Sequence, residues 1–117
     1  ENDYVLVFKD NTRPHRNIRV AFSKNLTGPY INISNPITKM FTEGPTVLKK
    51  DHEYIIFFDA YRDKKYRAIK TYDFINFEDI SNKISIPEGH KHGTIIEIPL
   101  TKFKKLYSYA KKKYNID

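Results

Sequence analysis

At 117 residues, 39% hydrophobic and 15% aromatic, the chain has room for one domain and enough apolar side chains to give it a core, which excludes a disordered tail. It has no cysteine, so a disulfide framework and a Cys-based zinc site are excluded while the redox compartment stays open, and no apolar run approaches the roughly 18 residues of a membrane span. The net charge of +7 is lopsided: the last sixteen residues carry Lys102, Lys104, Lys105, Lys111, Lys112 and Lys113 against one acid, giving +5 there and about +2 in everything before.

The chain opens on Glu-Asn-Asp, with neither an initiator Met nor a signal-like segment, and reads as a piece of something longer. Tyr4 to Phe8 is a β-rich apolar run, followed by a polar turn from Asp10 to Arg16 that contains Pro14. Ile18 to Phe22 is a second strand, and the alternation in Tyr30-Ile31-Asn32-Ile33 predicts a third. Thr46 to Leu48, Tyr54 to Phe58 and Tyr66 to Lys70 follow as strands, then a turn region from Tyr72 to Asp79, and Gly93 to Ile98 closes the β part. Short strands at regular spacing predict an all-β architecture. The period then changes. Phe103, Leu106, Tyr107, Ala110 and Tyr114 share one helical face, so Thr101 to Tyr114 is expected to be an amphipathic helix, capped by Thr101 and packed on the sheets with its lysines in solvent. A lysine face of this kind is read as solvated, with neither a membrane nor a nucleic acid as partner.

The strands repeat. Asp3 to Phe8 matches Glu53 to Phe58 at an offset of 50, while Ala21 to Leu26 matches Ile69 to Phe74, and Thr46 to Leu48 matches Thr94 to Ile96, both at 48. A period in the forties built from four short strands is the signature of a β-propeller blade. The expected fold is therefore a partial propeller of about two and a half blades over residues 1–99, with residues 100–117 as the C-terminal helix and the other blades in the same or another chain. Inner strands of such blades converge on an axial channel, and the 48-residue offset places Glu43-Gly44-Pro45-Thr46 and Lys91-His92-Gly93-Thr94 at matching strand starts. Glu43 and His92 are thus expected to face one pocket. Desolvation there would raise the Glu43 pKa toward that of a general acid, with Gly44 giving a ligand close passage and Pro45 fixing the backbone.

Read in order, "YVLVFKD" at Tyr4 to Asp10, "IRVAFSKNLTGPY" at Ile18 to Tyr30, "EGPTV" at Glu43 to Val47, "FFDAY" at Phe57 to Tyr61, "YDFINFEDIS" at Tyr72 to Ser81 and "HKHGTI" at His90 to Ile95 resemble the C-terminal blades of the five-bladed propeller of glycoside hydrolase family 43. The resemblance covers Tyr4 to about Pro99. It implies an inverting glycosidase of the β-xylosidase or α-arabinofuranosidase type, acting on plant-type poly- or oligosaccharides such as xylan, with Glu43 as general acid. It places His92 at the channel centre as a substrate contact that can also ligate a calcium ion. The family's aspartate general base and the aspartate that tunes the general acid belong to regions outside this chain, and hydrolysis needs two carboxyl groups, so the chain alone is expected to be inactive.

Other expectations carry alternatives. Asp59, Lys9, Asp10 and Arg67 could reach sugar hydroxyls, though each is more often a solvated or ion-paired loop residue, and Phe41, Tyr61 or Tyr66 could stack on a sugar ring, though most of the aromatics must be core. His90 and His92, two apart in a strand, would share a face, but two histidines make a weak zinc case; His15 and His52 fall in exposed turns. Asn25-Leu26-Thr27 and Asn32-Ile33-Ser34 fit the glycosylation pattern, which is short enough to arise by chance. A non-catalytic carbohydrate-binding or scaffold fragment is the rival reading, polyanion binding through the helix a third, and periplasmic, extracellular and cytoplasmic locations stay open.

Overall fold

The computed structural model describes residues 4–116. Six strands form two antiparallel sheets, followed by one C-terminal helix. Strands β1 (Tyr4–Asp10) and β2 (Asn17–Ser23) make a seven-pair hairpin running from Tyr4↔Ser23 to Asp10↔Asn17. Its turn is anchored by the Asp10 carboxylate, which accepts from the Thr12 N–H at 2.9 Å and from Arg19 Nε at 2.8 Å. Strands β3 (Glu43–Lys50), β4 (Glu53–Ala60), β5 (Lys65–Thr71) and β6 (Glu78–Asp79) form a four-stranded meander in that order.

The repeat read from the sequence is present in the backbone. Both ends of β5 lie 48 residues after the corresponding ends of β2. The short β5–β6 pairing of Lys70 with Glu78 has its counterpart in one isolated bridge between Phe22 and Ile31. That bridge is all that forms of the strand expected at Tyr30 to Ile33. Asn32 turns into the left-handed region at φ 53°, and an alternating pattern cannot continue through such a residue. The strand expected at Gly93 to Ile98 is also corrected: the segment is irregular, because among the described residues no neighbour takes a ladder of its backbone hydrogen bonds.

The alternation of β4 divides the core. Ile56 and Phe58 turn to one face and pack with Ile18 of β2 and Ile69 of β5, joining the two sheets. Phe57 turns to the other face with Tyr66, Ala68 and Ile80, where Ile84, Ile86 and Ile95 cover it. Burying a side chain such as Ile56 stabilises by about 2 kcal/mol, so the apolar run from Ile55 to Phe58 in β4 holds both faces.

Helix α1 (Leu100–Tyr114) forms nearly where its period predicts, but its placement is a correction. Pro99 rather than Thr101 occupies the N-cap, its carbonyl accepting from the N–H groups of Lys102 and Phe103, and Asn115 closes the helix in the left-handed conformation. No residue of α1 is buried; Leu106 is 59% exposed. The six lysines are spread around the rest of its circumference, with two at each border of the apolar stripe, and the described residues offer that stripe no partner face.

Candidate active site

Glu43 begins β3, and the backbone before it is firmly held. The Phe41 N–H donates to the carbonyls of His15 and Arg16, the Thr42 N–H also donates to Arg16, and the buried Thr42 hydroxyl meets Thr38 Oγ1 at 2.7 Å. Phe41 itself lies at φ 64°, a conformation that costs a bulky L residue about 1–3 kcal/mol and persists only where the surroundings enforce it. The strand register then shifts between Glu43 and Thr46, so the turn-like start of β3 directs Glu43 sideways to its cross-strand neighbour Asp59.

Four of the predicted site residues converge here. Lys9 Nζ of β1 reaches Glu43 Oε2 at 2.5 Å, while His92 places Nε2 3.8 Å from Glu43 Oε1 and Nδ1 3.4 Å from Asp59 Oδ2. The site therefore joins both sheets and the irregular segment after β6. Gly44 makes the arrangement possible for a reason absent from the sequence reading. Its φ is +59°, and a Cβ there would lie 2.2 Å from His92 Cδ2, so the glycine admits an imidazole rather than a sugar.

The electrostatics also differ from expectation. Glu43 is only partly buried, and the ammonium of Lys9 holds its carboxyl below the ordinary range; burial opposes this and loses, while Lys9, His92 and Arg16 add smaller fields of the same sign. The net shift is downward, opposite to the rise expected from desolvation. Asp59, expected as a loop residue, is instead in the body of β4 and 3% exposed. Tyr66, across from it on β5, is stacked against Phe57 and edge-on to His90; burial first, then the Asp59 charge, push its phenol pKa up, against a weaker opposing pull from the Gly93 backbone N–H.

Arg67 is placed elsewhere. It faces the Phe58 side of the sheet, pairs with Asp63 at 3.1 Å and lines a cleft of about 320 Å³ with Thr42 and Asp79. Asp10 is taken up by Arg19 at 2.8 Å. Phe41 carries the Arg62 guanidinium 3.4 Å from its ring centroid and the Tyr61 ring at 6.2 Å, so one of its faces is already covered. His90 turns to Tyr66 and His92 to the acids, since their segment is not a strand; His15 and His52 are exposed.

Ligand atoms of Glu43, Asp59 and His92 lie within 4.8 Å of one another. The set does not suit calcium. That ion takes about six to eight oxygen ligands, whereas the cluster offers two carboxylates and a ring nitrogen, and the Lys9 ammonium already neutralises Glu43.

No curated protein and no solved structure matches the chain. Residues 1–104 match a family described as a probable glycosyl hydrolase domain, one related to glycoside hydrolase family 43. With Glu43, Asp59 and His92 gathered at one strand start and that match covering most of its length, the chain belongs to this family of probable glycosyl hydrolase domains.

Proposed function

We propose that the chain contributes the general-acid side of a glycoside hydrolase site, in which Glu43 protonates the leaving oxygen of a β-xyloside or α-arabinofuranoside, and that its two strand units are blades of an incomplete propeller. The observation that carries this reading is the meeting of Glu43 with Asp59 and His92 at the head of β3 in a chain of this family. Protonation of a glycosidic oxygen needs a second carboxyl group to activate water, about 6.5–9.5 Å away in an inverting enzyme. Asp59 does not fill that role, because it is buried behind His92; the described residues bring no further carboxylate to the cluster. The base therefore comes from outside them.

Lys9 defines the resting state. Its ammonium keeps Glu43 ionised, and a sugar hydroxyl taking over the Lys9 contact, or a carboxylate brought beside Glu43, restores the proton the acid must give. The same ion pair supports a second reading, a carbohydrate-binding site without catalysis, in which Lys9 and Glu43 only bond sugar hydroxyls. Glu43→Gln in the whole protein separates the two. As the acid, the variant loses activity of about 100-fold or more on substrates with poor leaving groups and keeps it on activated aryl glycosides. Unchanged hydrolysis of both removes Glu43 from the chemistry.

A further inference from the structure

We propose that Asp59 is a positioning residue: its buried carboxylate fixes the His92 imidazole with Nδ1–H turned inward and the Nε2 lone pair turned toward Glu43 Oε1. Three observations support this. Asp59 is 3% exposed, and among the described residues His92 Nδ1, at 3.4 Å, is its only ion-pair partner. A buried carboxylate with so little compensation is costly unless it holds a proton donor, and the imidazole Nδ1–H is the donor in reach. The ring is seated on Gly44, where a Cβ would overlap it, so its plane is limited by contact as well as by charge. Finally, the two ring nitrogens face different carboxylates, with Nε2 3.8 Å from Glu43. Each carboxylate favours a proton on the nitrogen it faces, but Asp59 is the nearer and more deeply buried of the two and has no other cation among the described residues, whereas Glu43 is already paired with Lys9, so the Nδ1–H form is the one selected.

The function of that tautomer rests on the glycosidase reading. After Glu43 has given its proton to a leaving oxygen, a neutral Nε2 can take a proton from solvent, which reaches His92 because the side chain is 54% exposed. While the sugar holds Lys9 away from Glu43 Oε2, the imidazole passes the same proton to Glu43 Oε1. One proton enters and one leaves, so the acid is reset without a further reactant.

The test is the tautomer itself. Long-range 15N–1H correlation spectra of the 15N-labelled whole protein, at a pH where imidazole is neutral, are expected to show His92 as Nδ1–H. Asp59→Asn, which can donate to Nδ1, is expected to convert it to Nε2–H and to lower kcat about 10-fold or more with KM kept. A wild-type His92 found as Nε2–H, or a tautomer unmoved in Asp59→Asn, overturns the proposal; if that variant does not fold, the wild-type spectrum decides alone. A converted tautomer with hydrolysis insensitive to both Asp59→Asn and Glu43→Gln upholds the positioning and refutes the glycosidase reading instead.

Discussion

Replacing Gly44 by alanine separates stability from site geometry. The added Cβ would fall 2.2 Å from Cδ2, 2.6 Å from Nε2 and 2.9 Å from Cγ of His92, with no backbone atom among its closest contacts. Ordinary carbon contacts begin near 3.5 Å, so the ring must retreat by about 1.3 Å. Half-exposed, it can do so by rotating about its side-chain bonds. The backbone contribution is separate: at φ +59° an L side chain costs about 1–2 kcal/mol, and alanine's stiffer unfolded chain returns about 0.4–1 kcal/mol. Gly44→Ala is thus expected to lose about 1 kcal/mol, a fall in Tm of about 4–8 °C, while displacing His92 from both carboxylates. Thermal unfolding gives the first quantity and the His92 ring resonances the second. A loss above about 4 kcal/mol, or ring signals identical to wild type, would refute this reasoning, because either result means that the imidazole is not what the glycine accommodates.

Two further outcomes follow from the same geometry. Glu43 is held below its ordinary value of 4.5 by Lys9, so the pair stabilises the fold above that value and the contribution is lost as pH falls through the lower, folded-state one. Lys9→Met is expected to cost about 1 kcal/mol at neutral pH, reduced from a fully buried charged hydrogen bond by the partial exposure of both side chains, and to flatten the acid limb of a urea-denaturation series below about pH 4.5; an unchanged acid limb would show that the contact does not persist in solution. On α1, Leu106→Ala and Phe103→Ala are expected to change stability by no more than about 0.5 kcal/mol in this chain, since neither residue is buried, and a loss of 2 kcal/mol or more by denaturation would mean that the helix has a packing face.

The repeat was legible because strand-forming runs and their turns recur at 48 residues, and that offset alone puts Glu43 and His92 at matching strand starts. Their chemistry was less legible. Whether a carboxylate is raised or lowered depends on which charge lies against it, and Lys9 is 34 residues away in the chain, on a strand of the other sheet. Asp59 read as a loop acid because it follows an aromatic run; the signal that could have found it is parity, since it shares the face of Phe57 two residues earlier within one continuous strand. The expected strands at Tyr30 to Ile33 and Gly93 to Ile98 failed for a different reason. Alternation states which face a residue would take if paired, but pairing itself depends on a neighbour, and the pattern is silent about that.

The exposed C-terminal helix has a consequence for encounter. Its six ammonium groups, with no acid between Leu100 and Tyr114, stand apart from a body that is nearly balanced in charge, giving the molecule a strong electric polarity along its length. At low ionic strength a polyanion would be drawn to the helical end, while the strand units exert little pull or push on an uncharged sugar polymer; above about 0.1 M salt that bias shrinks to within roughly 10 Å of the lysines.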